Sequence, residues 1–539
     1  MAADRILANV DQFTCEAMVS FIFNYFKNRQ AVIVFLTTFL IYSPVLFNHF
    51  VGDDNVIFGK NTFYHSWKNV PRLFEKGRIK SSYEIIINSD AQADLGQVSP
   101  SFRPIYNLTF FFDYTLFRAS PCGSHFINIL IHCVNAALVY RIVNLIFSSS
   151  LLGVFAGLLF SLHPIQSEAV AVVNCRCDLL ASMFILFSFY SWVKFQQGGG
   201  VCKWQYCNAL GFYFLGLFTK ESTIVLPFVI LLFDQILVAK HQSLKMKEKL
   251  YAGFILLLTF YLYLYLFIFR NEYLSFYWLG GSFVDHWLIM GNIWYGYLIS
   301  ALLPWTVKMI PALYCPPVFP VFSFVTIKIA ACFIAFIAGL LALWRNHKEA
   351  VFFLLWYAVF YLPVSNLIPL ADPMADRFMY LPSVGLLIAL AFLLHNIFNG
   401  GFLRKDSQSL SGLLHVAVIL ICMTRLIFLN TDWKSNFDMG WAWVRDYPTA
   451  GKGYAFLGKA YFDAGLFERS KTYLEKSVML GENMPDEVMT LASCYMQLGE
   501  FKAAEALLKQ IILRNPGFAD PYIYLRIIYS HQKNLQRFN

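Results

Sequence analysis

Long apolar stretches separated by short polar breaks organise the first 430 or so residues. A helix that crosses a bilayer needs about 20 largely apolar residues. Twelve segments approach that length: 31–48, 124–147, 150–166, 178–195, 206–219, 222–239, 250–269, 287–303, 323–344, 349–368, 380–398 and 410–429. After Trp433 the pattern becomes that of amphipathic soluble helix. A repeat is visible there: Leu457, Gly458, Tyr461, Gly465 and Phe467 recur as Leu491, Ala492, Tyr495, Gly499 and Phe501. Ser470 and Leu474 recur as Ala504 and Leu508, Pro516 closes the second unit, and Leu525 and Tyr529 open a third. This is the tetratricopeptide pattern of two antiparallel helices per unit. So short an array cannot bury a core alone, so it leans on the membrane domain or on a partner.

The pattern predicts an all-α chain: a cytoplasmic N-terminus over 1–30, a polytopic helix bundle over 31–430 with an outer loop at 49–122, and a repeat domain over 431–539. Basic residues mark cytoplasmic loops. Lys27 and Arg29 precede the first segment, Lys240, Lys245, Lys247 and Lys249 follow the sixth, Arg345 and Lys348 the ninth, and Arg404 and Lys405 the eleventh. These share one side only if one of the three segments between Lys249 and Arg345 does not cross. Segment 287–303 carries Gly291, Asn292, Gly296 and several Tyr and Trp, and it runs into Pro304-Trp305. It reads as an interfacial or re-entrant helix. About eleven crossings then put the repeat domain outside, in a periplasm or an endoplasmic reticulum lumen. The outer loop is itself basic, with Lys60, Lys68, Arg72, Lys76, Arg78, Lys80 and Arg103. Long loops translocate largely regardless of charge.

Composition narrows the class. The 539 residues are 58% hydrophobic and only 14% charged, against roughly 25% charged in soluble domains. Together with a mean hydropathy of +0.54 this excludes an ordinary soluble enzyme and a disordered chain. No cleavable leader is expected near Phe21. The eleven Cys lack structural-zinc spacing. The net charge of +9 matters by position, and no nucleic-acid partner is expected.

The informative residues are ionisable groups beside the apolar segments, where charge is costly. Under the orientation above they fall on the outer side: Asp53 and Asp54 after the first segment, His163 and Glu168 after the third, Arg176 and Asp178 at the fourth, Lys220 and Glu221 between the fifth and sixth, and Asp372, Asp376, Arg377 and Tyr380 before the eleventh. They describe an outward polar cavity with both signs of charge. Partly desolvated carboxylates make general bases, and nearby cations can hold a phosphate leaving group. That suits transfer of a sugar from a lipid phosphate. Bland readings stand beside these. Asp53-Asp54 can cap a helix, His163-Pro164 can end one, the remaining pairs can be interhelical salt bridges, and Tyr380 can be an interfacial anchor. Cys175-x-Cys177 makes a poor metal site, and the Asn107-x-Thr109 sequon lies close to the membrane.

Several motifs resemble the transmembrane and tetratricopeptide-repeat O-mannosyltransferases and their bacterial relatives. They are Val51-Gly52-Asp53-Asp54, Ser101-Phe102-Arg103-Pro104, His163-Pro164-Ile165-Gln166-Ser167-Glu168-Ala169-Val170, Arg176-Cys177-Asp178-Leu179-Leu180-Ala181, Lys220-Glu221, and Ala375-Asp376-Arg377-Phe378-Met379-Tyr380-Leu381-Pro382-Ser383. The ordered set covers roughly 31–530. The resemblance implies a GT-C-type bundle. It implies a polyprenyl- or dolichyl-phosphate sugar donor, mannose in the animal members, and inverting transfer to Ser or Thr hydroxyls of an extracytoplasmic protein. It implies Asp53 as base with Asp54 as neighbour or substitute. Arg377, Arg103, Arg176 and Lys220 become candidates for the donor phosphate, and His163, Glu168, Asp178, Glu221, Asp376 and Tyr380 support the cavity. The repeats would hold the acceptor. A divalent metal on the paired carboxylates is conceivable but not favoured. The location would be a bacterial inner membrane or the endoplasmic reticulum membrane. The competing readings are a GT-C enzyme acting on an envelope lipid or polysaccharide, and a non-enzymatic membrane scaffold whose repeats dock partners.

Overall fold

The computed structural model describes residues 29–74, 102–118, 120–238, 244–269, 278–309, 320–367, 370, 372–399, 408–481, 485–514 and 516–538. The N-terminal stretch to residue 28 and the basic residues Lys76, Arg78, Lys80, Lys240, Arg404 and Lys405 lie outside them. Among the described residues all regular structure is helical. The membrane part contains α1 (Arg29–Tyr42), α2 (Pro104–Phe117), α3 (Pro121–Phe147), α4 (Ser150–Leu162), α5 (Ser167–Ala171), α6 (Arg176–Gln197), α7 (Lys203–Leu217), α8 (Leu226–Ile236), α9 (Leu244–Tyr263), α10 (Phe283–Leu302), α11 (Phe324–Leu343), α12 (Lys348–Tyr361), α13 (Tyr380–Asn399) and α14 (Gln408–Asp432). After these come α15 (Asn436–Asp446) and the repeat helices α16 (Gly451–Asp463), α17 (Phe467–Met479), α18 (Pro485–Gln497), α19 (Phe501–Arg514) and α20 (Asp520–Phe538).

Seven described helices are long and apolar enough to cross a membrane, or eight if the bent pair at 150–171 is one span. Segments 206–219, 222–239 and 349–368 give shorter helices of 15, 11 and 14 residues. Lys220-Glu221 opens a 3-10 turn ahead of α8, and Leu362-Pro363 ends α12 the same way. Segment 287–303 becomes α10, which does not reach the apolarity of a span. By contrast α11 has no buried residue. A helix apolar all round and packed on little protein suits lipid contact.

Lipid gives helices no hydrophobic drive to associate, so close packing and hydrogen bonds hold the bundle. At Gly385 of α13 a Cβ would stand 2.3 Å from the Phe353 carbonyl oxygen of α12. Glycine is what allows that approach. Likewise α4 lies against α3 and α1.

Two features organise the end that carries the charged residues. Residues 49–122 are more than a connecting loop. Their aromatic residues Phe58, Phe63, Tyr64, Phe110 and Phe111 form a second small core with Val173 and Cys177, because α2 is apolar and folds back onto the turns after α1. The chain leaving α14 also grips the chain leaving α1. His49 N–H donates to the Lys434 carbonyl at 3.0 Å, Asn48 Nδ2 to the Trp433 carbonyl at 3.2 Å, and Gly52 N–H to Asn436 Oδ1 at 3.0 Å. The repeat helices follow directly from this clasp. Pro485 and Phe501 start helices at the positions matching Gly451 and Phe467, so the repeat register read from the sequence is the observed one.

Candidate functional site

Gly52 sits in the left-handed region at φ +54°, which a glycine adopts without strain. The turn it makes, followed by an irregular helical turn over Asn55–Lys60, sends Asp53 and Asp54 in different directions. Asp53 is exposed, and its carboxylate makes no hydrogen bond among the described residues. Asp54 is fully buried and accepts from the Val173 N–H at 2.9 Å and the Asn174 N–H at 2.7 Å. It thus ties the first outer loop to the turn before α6. Burial raises the Asp54 carboxyl to about 7 against the pull of those two N–H groups. Protein around Asp53 raises its carboxyl too. Arg377 opposes that rise, Asp372 adds to it and Lys459 opposes it.

Arg377 lies beside this turn, held from two sides. Glu168 of α5 accepts from its backbone N–H at 2.8 Å and from its guanidinium, and Asp372 accepts from the other terminal nitrogen at 2.5 Å. A fifth of its side chain stays exposed. Lys220 pairs with Asp178, and Arg103 pairs with Glu221 through two bonds of 3.0 and 2.5 Å. Burial works against the Glu221 charge, but Arg103 and Lys220 outweigh it and hold the carboxyl at about 2. Its side chain is 38% exposed. Arg103 Nη1 also lies 3.6 Å from Cys177 Sγ, so the Arg103–Glu221 and Lys220–Asp178 pairs adjoin.

The sequence-nominated residues therefore converge, but not all of them line open space. Arg176 is wholly buried and engages Asp113 with two bonds, plus Asn128, Thr109 and the Ser124 carbonyl. No donor is left for a phosphate, so the geometry makes Arg176 a structural anchor. Tyr380 is likewise interior. Its hydroxyl meets His132 Nδ1 at 2.7 Å and Asn135 Nδ2 at 3.0 Å, which fits neither a cavity wall nor an interfacial anchor. His163 is buried and accepts from the Ile165 N–H at the bend between α4 and α5. Asp376 is buried, with its Oδ1 unpartnered among the described residues. Cys175 and Cys177 are buried free thiols. Among the described residues no group of three or more His, Cys, Asp or Glu is arranged to hold a metal. Asn107 is buried, with Nδ2 donating to the Arg103 carbonyl and Oδ1 accepting from Tyr64, so its sequon is shielded.

Two residues escaped the sequence reading. Asp113, the partner of Arg176, stands alone in the run Phe110-Phe111-Phe112-Asp113. A lone charge in an apolar helix is a legible signal of a buried pair. Lys459 sits among ordinary repeat residues, and no sequence rule points from there to Asp53.

A multi-spanning helical membrane protein with a tetratricopeptide module clasped to its charged end is the class these features define. Residues 104–265 match the family described as dolichyl-phosphate-mannose-protein mannosyltransferase, and residues 461–525 match the tetratricopeptide repeat. The chain is 25% identical over 449 residues to the Protein O-mannosyl-transferase TMTC3 of Mus musculus, covering 75% of this chain and 47% of that one. It is 26% identical over 421 residues to the Protein O-mannosyl-transferase TMTC4 of Homo sapiens, covering 68% and 56%. A 139-residue stretch is 36% identical to the Protein O-mannosyl-transferase Tmtc2 of Drosophila melanogaster, covering 25% and 15%. Over most of its length the chain is thus similar to transmembrane and tetratricopeptide-repeat O-mannosyltransferases, and it spans about half the length of the mouse and human relatives.

Proposed function

We propose that the protein transfers mannose from a dolichyl- or polyprenyl-phosphate donor to Ser or Thr hydroxyls of an extracytoplasmic protein, with inversion. The acceptor oxygen attacks the anomeric carbon as the bond from that carbon to the phosphate oxygen breaks. Asp53 takes the hydroxyl proton, and the prenyl phosphate leaves with the electron pair. A base must be reachable and slightly basic. Exposed Asp53, its carboxyl raised by the surrounding protein, meets both conditions, whereas Asp54 is occupied with backbone. Arg377, and at greater remove Arg103 and Lys220, would stabilise the departing phosphate. The observation that carries this reading is that Asp53 and partly exposed Arg377 share one electrostatic neighbourhood. The names of the relatives supply the sugar and the protein acceptor. We place the reaction on the lumenal side of the endoplasmic reticulum membrane, as a metal-independent transfer with the repeats receiving the acceptor.

The test is reconstitution of the full chain in lipid nanodiscs with prenyl-phosphate mannose and a Ser/Thr-bearing acceptor, read by the acceptor's intact mass. A gain of one hexose that Asp53→Asn abolishes and EDTA leaves intact is expected. An unmodified acceptor alongside mannosylated lipid or polysaccharide would replace protein by glycolipid as the substrate.

A further inference from the structure

Each of the four nominated cations among the described residues is already matched by a carboxylate: Arg176 by Asp113, Lys220 by Asp178, Arg103 by Glu221, and Arg377 by Glu168 and Asp372. Asp53 and the buried Asp54 and Asp376 add further acidic groups without a matched cation. Among the described residues, these groups offer an anionic headgroup beside Asp53 no surplus of positive charge. Two described cations bear on Asp53, Arg377 and Lys459, and Arg377 is already paired. Lys459, on the first repeat helix α16, is exposed and has no carboxylate partner among the described residues.

The fold holds Lys459 there by several contacts. The clasp of His49, Asn48 and Gly52 onto Lys434, Trp433 and Asn436 fixes the start of α15 against the Asp53 turn. The Met439 side chain of α15 would lie 3.8 Å from a Cβ at Gly52. Helix α16 packs closely on α15, with Gly440 against Leu457 and the Phe437 and Tyr461 rings 5.0 Å apart. Phe456 and Lys459 are three residues apart and so share a helix face. Phe456 packs on the hydrophobic cluster that runs from the membrane bundle through Met439 and Ala442. That face therefore turns towards α15, the helix whose Met439 adjoins the Gly52 turn, and the Lys459 charge reaches Asp53 alongside that of Arg377.

We propose that Lys459 binds the phosphate of the prenyl-linked donor, so that the repeat module completes the donor site from above. This rests on the function proposed in the preceding subsection. It gives the repeats a second task besides receiving acceptor, since the four nominated cations among the described residues are already paired with carboxylates. A lysine serves as a point charge on phosphate, and an arginine at the same position keeps that charge.

The experiment uses the full chain in nanodiscs and two readouts. The first is direct binding of polyprenyl phosphate, which carries no sugar, followed by native mass spectrometry, with the matching polyprenol as a control for the tail. Lys459→Ala is expected to weaken phosphate binding about tenfold, to leave polyprenol binding unchanged, and to be rescued by Lys459→Arg. Lys502→Ala on α19, which removes an equal charge elsewhere, is expected to match the wild type. The second readout splits KM for donor from KM for acceptor, with the donor value rising and the acceptor value holding. Unchanged phosphate binding in Lys459→Ala overturns the proposal, as does an equal loss of polyprenol, or a rise confined to acceptor KM. If the wild type transfers no mannose, the functional reading fails while the binding comparison still decides the role of Lys459.

Discussion

Arg176→Met separates an anchor from a substrate ligand. Arg176 is wholly buried and Asp113 is 5% exposed by side chain, and the two share bonds of 2.9 and 2.7 Å. Arg176 also bonds Asn128 at 2.7 Å and the Ser124 carbonyl at 3.0 Å, so it joins α2, α3 and α6 at one point. Removing one member of a buried ion pair leaves the other uncompensated and costs about 3–5 kcal/mol. Against a typical total of roughly 5–15 kcal/mol that is a large loss. For a domain of this size it lowers the melting temperature by about 3–6 °C. Replacing both partners by apolar groups is often neutral, so Arg176→Met with Asp113→Leu is expected to regain most of the loss, with a coupling of at least about 2 kcal/mol. Intrinsic tryptophan fluorescence on heating in nanodiscs measures all four corners of the cycle. If Arg176→Met melts within about 1 °C of the wild type and instead loses only donor binding, the assignment of Arg176 as an anchor is refuted.

Asp53→Asn is expected to lose about 10²–10⁴-fold in transfer rate with an unchanged melt, since its carboxylate makes no hydrogen bond among the described residues; normal turnover in a hexose-transfer assay would falsify Asp53 as base. Asp54→Asn, by contrast, sets an amide N–H against one of two backbone donors and is expected to cost about 1–3 kcal/mol in the same melting experiment, and an undisturbed melt would contradict the loop-anchoring role. The pH dependence has a defined sign. Desolvation by the surrounding protein raises the Asp53 carboxyl, and the deprotonated form is the working base, so the rate falls as pH drops through a limb above the ordinary 3.8. Initial rates across the acid range check this, and a limb below 3.8 is incompatible with it. Gly385→Ala forces α13 away from the Phe353 carbonyl and is expected to cost about 1–3 kcal/mol, and wild-type thermal stability in that variant would mean the approach is looser than the backbone suggests.

The sequence was most readable where physics acts along one chain segment. Apolar length located the long helices, and the repeat residues located their helices to the residue, because a tetratricopeptide unit repeats its own packing. Convergence of the acidic and basic motifs was readable because the bilayer sorts charge to its edges. The roles within the cluster were not readable. Nothing in Arg176-Cys177-Asp178 says that the arginine turns inward to Asp113 while the aspartate meets Lys220, since both partners come from distant helices. Adjacent Asp53 and Asp54 diverge because of one positive-φ glycine and an irregular turn. Tyr380 reads as an interfacial aromatic but finds its partners, His132 and Asn135, on α3 in the core.

The arrangement constrains how function can be dissected. Three ion pairs of the cluster bridge elements far apart in sequence: Arg103 to Glu221, Lys220 to Asp178, Arg377 to Glu168. The charges best suited to meet a phosphate are thus also the ties that hold the outer ends of the helices together. A mutation at Arg377 or Lys220 alters the geometry as well as the chemistry, because an unpaired Glu168 or Asp178 is left behind in a mostly buried place. Asp53 and Lys459 stand apart, since both are exposed and neither side chain is bonded among the described residues. They sit on opposite sides of the clasp between the first outer loop and the repeat module, so the substrate is what would connect them. Changes at these two positions test the chemistry of the site without first dismantling it.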